Sequence, residues 1–233
     1  MSRRPANCSP IKQQGMVRAT MVLKTNRVEN PGRIRQKNEM LILRAAEIEF
    51  ARHGFKGATV QQIADTAGLP KANVHYYFKS KHDLYLAVLS DIVELWNSAF
   101  DAIRPEDSPA DALGRYIRSK VMLAKTHPLA SKIFATEIIS GAPTLGKYLK
   151  SNNRQWVREK SAVIQSWIDQ GKIDPISPEH LIFLIWSATQ HYADFSTQIE
   201  AVLGRKKLTS KDFDFAADNL IRIILKGCGV KTP

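Results

Sequence analysis

A short polar and aromatic segment, residues 71–77, carries side chains suited to contact with nucleic acid. If it is helical, Val74 and Phe78 lie one turn apart and can anchor one face to a core. The other face then presents Lys71, Ala72, Asn73, His75 and Tyr76. Most of these side chains are hydrogen-bond donors or acceptors that can reach base edges and phosphates. The segment therefore predicts a recognition helix.

A second group of functional side chains lies in the helix that begins near Ser177. Trp186 and Gln190 are one helical turn apart, so a flat apolar ring lies beside an amide with one acceptor and two donors. Together they suit the amide edge of a planar heterocycle. Trp96, in an earlier long helix, is the candidate for the opposite wall. The alternative is that Trp186 belongs to the core and that Gln190 bonds to a neighbouring side chain.

His191 and Asp194 are the candidates for metal binding or catalysis. Two ligands do not make a metal site, and His180 lies about 16 Å from His191 along a helix. A hydrogen bond between His191 and Asp194, or an ordinary polar pair in the core, is favoured instead. An enzyme that uses His191, Asp194 or Glu137 is a rival interpretation, but the sequence contains no recognisable nucleophile–base pair or phosphate loop. We therefore predict no catalysis, no metal and no cofactor.

Helical signals define the elements that carry these residues, and no segment shows the alternation of a strand. Asn30-Pro31 opens a helix that ends at Gly54, and Thr59 with Gln62 forms a capping box for a helix that ends at Gly68. The later start signals are Ser80, Ser108-Pro109 and Ser177-Pro178, and the last helix runs from about Asp212 to Lys226. The sequence predicts an all-α fold of about nine helices. The glycine turn at 67–70 has the form of a helix-turn-helix, although an ordinary corner between two helices has the same form.

The positive charge is concentrated at the N-terminal end of the chain. Of 34 Lys and Arg and 22 Asp and Glu in 233 residues, 15 basic and 6 acidic side chains fall in residues 1–90. This imbalance predicts a polyanionic partner, and a solvated basic tail is the alternative. Residues 1–28 hold six basic and no acidic side chains, which predicts a disordered arm. An organellar transit peptide is the minority alternative.

Several classes of protein are excluded. The longest uncharged stretch in an apolar helix, residues 181–193, is too short to span a bilayer. Cys8 and Cys228 have no spacing typical of a disulfide scaffold, a zinc module or a thioredoxin motif. The N-terminus lacks the apolar run of a secretory signal. The sequence therefore predicts a cytoplasmic protein with no membrane partner.

Residues 50–85 resemble the DNA-binding domain of TetR-type regulators. The resemblance rests on the pattern Phe50-x-x-x-Gly54-Phe55-x-Gly57-x-Thr59-Val60-x-x-Ile63-Ala64-x-x-Ala67-Gly68 and on Tyr76-Tyr77-Phe78-x-Ser80-Lys81-x-x-Leu84-Tyr85. It implies nine helices, of which the first three bind DNA and the rest bind a ligand and dimerise. It also implies phosphate contacts from Thr59, Tyr76 and Lys81. Leu69-Pro70 departs from the usual Val-Ser, so the third helix lacks a hydroxyl cap.

The C-terminal part resembles the RutR-type, pyrimidine-responsive regulators of the same family. The shared residues include Glu159-Lys160-Ser161-Ala162, Trp167, Gly171-Lys172-Ile173 and Asp174-Pro175-Ile176. They continue with His180-Leu181-Ile182-Phe183 and with Trp186-x-x-Thr189-Gln190-His191-Tyr192-Ala193-Asp194-Phe195. The resemblance implies a pocket for uracil or thymine. The residues expected to line it are Trp96, Trp186, Gln190 and Tyr192.

The last helix is apolar nearly all round, so it must be covered on both sides. A homodimer formed through the last two helices meets this need, and a fully buried central helix in a monomer is the alternative. We therefore expect a basic arm (1–29), a helix-turn-helix domain (30–79) and a ligand-binding and dimerisation domain (80–233). The predicted function is that of a repressor that binds a palindromic double-stranded DNA operator. A DNA-binding protein with a different effector, or with none, remains the alternative.

Overall fold

The computed structural model describes residues 31–230 and shows helices without strands in that range. The three N-terminal helices are α1 (Pro31–Gly57), α2 (Val60–Ala67) and α3 (Lys71–Tyr77). The next are α4 (Lys81–Asp101), α5 (Pro109–Thr126), α6 (Pro128–Ile139), α7 (Gly146–Tyr148) and α8 (Arg154–Asp169). The last are α9 (Pro178–Asp194), α10 (Ser196–Val202) and α11 (Ser210–Gly227). We call α1–α3 the head and α4–α11 the body. The predicted arm lies outside the described residues.

Local capping chemistry sets the starts of several helices, and the predicted caps at Thr59, Ser108 and Ser177 are confirmed. The Thr59 hydroxyl accepts a hydrogen bond from the Gln62 backbone amide, and the Thr59 backbone N–H donates in return to Gln62 Oε1, which completes the capping box of α2. Gly68 ends α2 in the left-handed conformation (φ 67°), which costs a residue with a Cβ about 1–2 kcal/mol. Ser108 and Ser177 cap α5 and α9, each followed by a proline at the first helical position.

The number of helices differs from the prediction of about nine, because short helical elements interrupt the later part of the described chain. The residues between α6 and α8 form a single helical turn, α7, and then a π-helical segment, Leu149–Asn153, that runs into α8. Helix α9 ends at Asp194, and the non-helical Phe195 separates it from the short helix α10. The predicted helix end at Gly54 is confirmed as a break in the helical backbone (φ 65°, ψ 175°), and a further helical turn beyond this kink carries α1 to Gly57.

Two large clusters of buried side chains hold the molecule together, and helix α4 contributes to both. The first unites the head with α4 and α6, through residues such as Ile42, Ile63, Leu84, Leu89, Trp96 and Ile133. The second fills the body, where Phe100 from the end of α4 meets residues of α5, α8, α9 and α11. Since one helix belongs to both cores, a displacement of α4 changes the packing of the head and the body together.

A buried polar contact joins α4 to the end of α6. The Tyr85 hydroxyl donates to Glu137 Oε2 over 3.2 Å, and Glu137 Oε1 accepts from the backbone amides of Thr144 and Leu145. Burial raises the pKa of Tyr85, and the nearby Glu137 charge adds to the effect. Glu137 therefore fixes the chain reversal after α6. Within residues 31–230, no helix is long and apolar enough to cross a membrane.

Candidate functional site

Helix α3 carries a largely exposed polar face, as the sequence predicts. Val74 is buried in the head core, and Phe78 packs partly against the same core. The side chains of Lys71, Ala72, His75 and Tyr76 are exposed, whereas Asn73 is half-buried. Tyr76 is 73% exposed, and its ring meets only the edge of Tyr77 (5.1 Å between centroids) among the described aromatic residues. Its hydroxyl is thus free to meet a ligand as large as a nucleic acid.

Two residues implied as phosphate ligands are engaged within the head. The ammonium of Lys81 donates to the carbonyl oxygens of Ala58 (2.9 Å) and Lys56 (3.4 Å), and it lies 4.8 Å from the centre of the Phe55 ring. The hydroxyl of Thr59 serves the capping box. Thr59 therefore caps α2, and Lys81 ties the first turn of α4 to the end of α1 and to the loop before α2. An ammonium has three donors, so Lys81 retains one for a further acceptor.

A small cavity of about 30 Å³ lies in the body between α4, α5, α6, α9 and the π-helical segment. Its lining residues are Val93, Trp96, Asn97, Lys120, Phe134, Leu149, Asn153, Trp186 and Gln190. Three of the four residues predicted to bind a ligand, Trp96, Trp186 and Gln190, thus meet at one place. A cavity of this size holds about one or two water molecules, so a planar ring enters only if the lining side chains move.

The walls of the cavity differ in how firmly they are held. The Trp186 indole N–H donates to the Tyr116 hydroxyl over 2.8 Å, and the Tyr116 ring stacks on Phe100 at 4.2 Å. Trp96 meets Phe134 edge-on, with 4.9 Å between the centroids. In contrast, the Gln190 amide makes no hydrogen bond to another described residue. Trp186 is therefore a fixed wall, and Gln190 offers an amide without a protein partner among the described residues.

Lys120 is a cavity residue that the sequence reasoning missed. It lies on α5 and is only 3% exposed, with Nζ 4.3 Å from the centre of the Trp96 ring. Burial lowers the pKa of its ammonium to about 7, and the field of Asp194 opposes that effect. A sequence signal existed, because Lys120 falls at helical spacing among the buried residues Tyr116, Ile117 and Val121. A lysine on the apolar face of a helix indicates a buried cation.

The prediction that Tyr192 shares this cavity does not hold in the structure. Its ring packs beside Phe213 of α11, 6.4 Å between centroids, and it lines a different, larger cavity of about 470 Å³. The reason is the helical period: two residues beyond Gln190 the side chain has rotated by about 200° around α9. Tyr192 therefore faces away from Trp186 and Gln190.

His191 and Asp194 also have separate surroundings. Asp194 accepts a hydrogen bond from Ser131 Oγ on α6, and burial raises its pKa. The His191 ring stacks on Phe195, with 4.9 Å between centroids. The predicted hydrogen bond between His191 and Asp194 is therefore replaced by these two contacts. Among residues 31–230, no three His, Cys, Asp or Glu side chains converge in a way that could hold a metal ion.

Comparisons with known proteins identify both parts of the chain. Residues 42–88 match the bacterial regulatory proteins of the tetR family, and residues 89–231 match the C-terminal region of YcdC-like proteins. The chain is 43% identical to the HTH-type transcriptional regulator RutR of Escherichia coli (strain K12) over 186 residues, 80% of this chain and 88% of RutR.

Solved structures share the fold at lower identity. A bacterial regulatory protein of the tetR family from Rhodococcus RHA1 superimposes with a TM-score of 0.67 at 19% identity, over 84% of this chain and 99% of that one. AibR, in complex with isovaleryl coenzyme A and operator DNA, gives a TM-score of 0.60 at 17% identity, over 80% and 97% of the two chains. The chain therefore belongs to the TetR family of transcriptional regulators, proteins that bind operator DNA and small-molecule effectors.

Proposed function

We propose that this regulator is a homodimeric repressor, released from a palindromic operator when a pyrimidine such as uracil or thymine occupies the body cavity. The observation that carries the effector assignment is the convergence of Trp96, Trp186 and Gln190 on one cavity. A ring packed between indoles gains apolar contact, and an unpaired Gln190 amide complements the N–H and C=O edge of a pyrimidine. The resemblance to RutR-type regulators supports the same assignment.

The DNA-binding part of the proposal rests on α3. The exposed side chains of Lys71, His75 and Tyr76 supply a cation and polar groups on one face of a helix that follows a glycine turn. Such a helix reads base edges in the major groove and positions itself through phosphate contacts. A protein with this task works in the cytoplasm of a bacterium, and we propose that location.

The dimer is proposed to form through the last two long helices, α9 and α11. Large apolar side chains remain exposed on both, namely Phe183 and Leu184 on α9 and Phe215 and Ile223 on α11. A groove of about 330 Å³ between the helices is lined by Leu184, Ile223 and neighbouring residues. Several exposed large apolar side chains on two neighbouring helices are typical of a surface that a protein partner covers. Two heads on a two-fold axis then match a palindrome whose half-sites lie about 34–36 Å apart.

Release by an effector follows from the shared position of α4. Trp96 lines the effector cavity and also belongs to the cluster that joins α4 to the head. A ring that separates Trp96 from its neighbours favours a different position of α4 and hence of the head. The effector thus stabilises conformations whose heads no longer match successive major grooves.

A binding titration tests this function directly. We expect uracil or thymine to bind the purified protein in calorimetry, to raise its melting temperature and to release it from promoter DNA in a mobility-shift assay. Adenine is the matched control, because it is planar but lacks the imide edge. The absence of binding by both pyrimidines, with DNA binding intact, would overturn the effector assignment alone.

One observation favours a second candidate, a DNA-binding regulator with another effector or none. The cavity of about 30 Å³ is smaller than a pyrimidine ring, so ligand entry requires an opening of the lining. In this alternative, Trp186 and its neighbours fill the space permanently. The melting temperature then stays constant with every pyrimidine in the titration described above.

A further inference from the structure

A buried lysine without an anionic partner lies in the effector cavity. Lys120 projects from the apolar face of α5, and its Nζ lies against the Trp96 ring. Among the described residues, no carboxylate oxygen lies within 4.0 Å of this ammonium, and Nζ has no hydrogen-bond acceptor. An ammonium in such surroundings loses most of its hydration, and the cation–π contact with Trp96 offsets that loss only in part. Lys120 nevertheless lies buried in the lining of this cavity.

The groups that face Lys120 from the neighbouring helices are mostly neutral. Trp96 and Asn97 come from α4, Phe134 from α6, and Trp186 and Gln190 from α9. Asp194 on α9 is the charged group whose field reaches the ammonium, but its carboxylate is bonded to Ser131. Burial raises the pKa of the Asp194 carboxyl group, and the nearby positive charges of His191 and Lys132 oppose that rise. On α11, Asp218 pairs with Arg118 instead.

We propose that Lys120 is the charged anchor of the effector, and that the effector is a planar ring carrying an anionic oxygen, in the first place a pyrimidine carboxylate. This inference rests on the proposed function and names the substrate class of the same cavity. The ring amide pairs with Gln190, the ring plane packs on indole, and the carboxylate accepts hydrogen bonds from Lys120 Nζ. The ligand then supplies the negative charge that Lys120 lacks within hydrogen-bond distance in the free protein. Charge-assisted hydrogen bonds of this kind are stronger than hydrogen bonds between neutral groups.

Such a pair makes binding depend on pH in a defined direction. In the free protein the pKa of Lys120 is about 7, because burial disfavours the charged form. A bound carboxylate favours the ammonium and raises that pKa. Below pH 7 the lysine is already protonated, so the affinity changes little. Above pH 7 each binding event takes up a proton, and the dissociation constant rises by up to about tenfold per pH unit until the pKa of the complex is reached.

Two matched pairs of ligands test the anchor, since each pair has the same ring and the same substituted position. Thymine is compared with uracil-5-carboxylate, and 6-methyluracil with uracil-6-carboxylate. Titration calorimetry of the full chain at pH 6.5 and pH 8.5 gives the dissociation constants, and repetition in buffers of different ionisation enthalpy gives the number of protons taken up. We expect at least one carboxylate to bind tenfold or more tightly than its methyl counterpart at pH 6.5, with proton uptake at pH 8.5.

Two variants separate the anchor from general electrostatics. Lys120→Met keeps the length of the side chain and removes the charge, so the preference for the carboxylate and its pH dependence should disappear. Lys132→Met removes an exposed lysine on α6 that also acts on Asp194, and it should behave like the wild type. If Lys120→Met does not fold, the pH profile and the proton uptake of the wild-type protein still decide.

The possible results distinguish this inference from the function on which it rests. If uracil or thymine binds but neither carboxylate exceeds its methyl counterpart, Lys120 is not an anchor, and the pyrimidine assignment stands. The same conclusion follows if the preference survives in Lys120→Met. If none of the pyrimidines binds to the wild-type protein, the proposed effector class is wrong, and this inference falls with it.

Discussion

At the scale of single residues, the two predicted ligand-binding residues on α9, Trp186 and Gln190, differ in the contacts that they make within the protein. The Gln190 amide has no hydrogen-bond partner among the described residues. In contrast, the Trp186 indole donates to the Tyr116 hydroxyl, and its ring centroid lies 5.8 Å from that of Phe183. Gln190→Leu should therefore leave the melting temperature of the apo protein unchanged or higher. It should weaken pyrimidine binding about tenfold or more, because an unpaired buried polar edge of the ligand costs about 1–3 kcal/mol. Trp186→Ala should lower both the melting temperature of the apo protein and its affinity for the pyrimidine, with a stability loss of ~3 kcal/mol. Calorimetric titration and thermal melts of each variant measure the two quantities, and equal pyrimidine binding by Gln190→Leu and wild type would refute the amide contact.

The residues also show how far a sequence predicts a site. The sequence predicts that Trp186 and Gln190 lie together, because a spacing of four residues on one helix places them on the same face. The same rule, applied to Tyr192, assigns it to the opposite face, and only the family pattern suggested otherwise. That Trp96 meets them depends on how α4 packs against α9, which no local pattern contains. Lys120 was detectable as a lysine in an apolar stripe, but its lack of a carboxylate partner required the fold.

At the scale of elements, α3 is a short helix whose contribution to DNA binding can be separated from its stability. Lys71 is exposed at its first turn, and its removal takes no contact from the head core. Lys71→Ala should weaken binding to a nonspecific duplex and reduce the slope of log K against log salt by about 1, since each phosphate contact releases roughly one counterion. The control is Lys206→Ala, which removes another exposed lysine, in the loop between α10 and α11. Fluorescence anisotropy across a salt series gives both slopes, and equal slopes for the two variants would remove α3 from the DNA interface.

The same contrast between local and distant causes explains which elements the sequence predicted. The start of α2, α5 and α9 follows from a cap residue within three positions, so these boundaries agree with the prediction. The segment from Gly146 to Asn153 carries no such signal, and its π-helical turn places Leu149 and Asn153 in the lining of the cavity. The single turn α7 and the short α10 therefore could not be counted in advance.

At the scale of the whole molecule, the proposed dimer explains how a chain with one head binds a two-fold symmetric site. The head alone contributes one recognition helix, and the clusters that link it to the body fix its direction relative to α9 and α11. In the proposed dimer, the distance between the two heads is therefore set by the α9–α11 interface and by α4 together. Any ligand that moves α4 changes that distance, and any change that separates the protomers removes the second head altogether.

Ile223→Glu tests that arrangement. Ile223 is 61% exposed on α11 and lines the groove between α9 and α11, so it should be covered in the dimer. An unpaired carboxylate there costs several kcal/mol on association, which corresponds to a rise of about a hundredfold or more in the dimer dissociation constant. Sedimentation velocity should show monomers at concentrations where the wild-type protein is dimeric, while the melting curve of the monomer retains its cooperativity. Binding to a palindromic operator should fall much more than binding to nonspecific DNA, since the second head is lost. Ile139→Glu is the matched control, because Ile139 is 82% exposed at the end of α6 and lies outside the α9–α11 surface. A stable dimer of Ile223→Glu would show that the protomers associate through a different face.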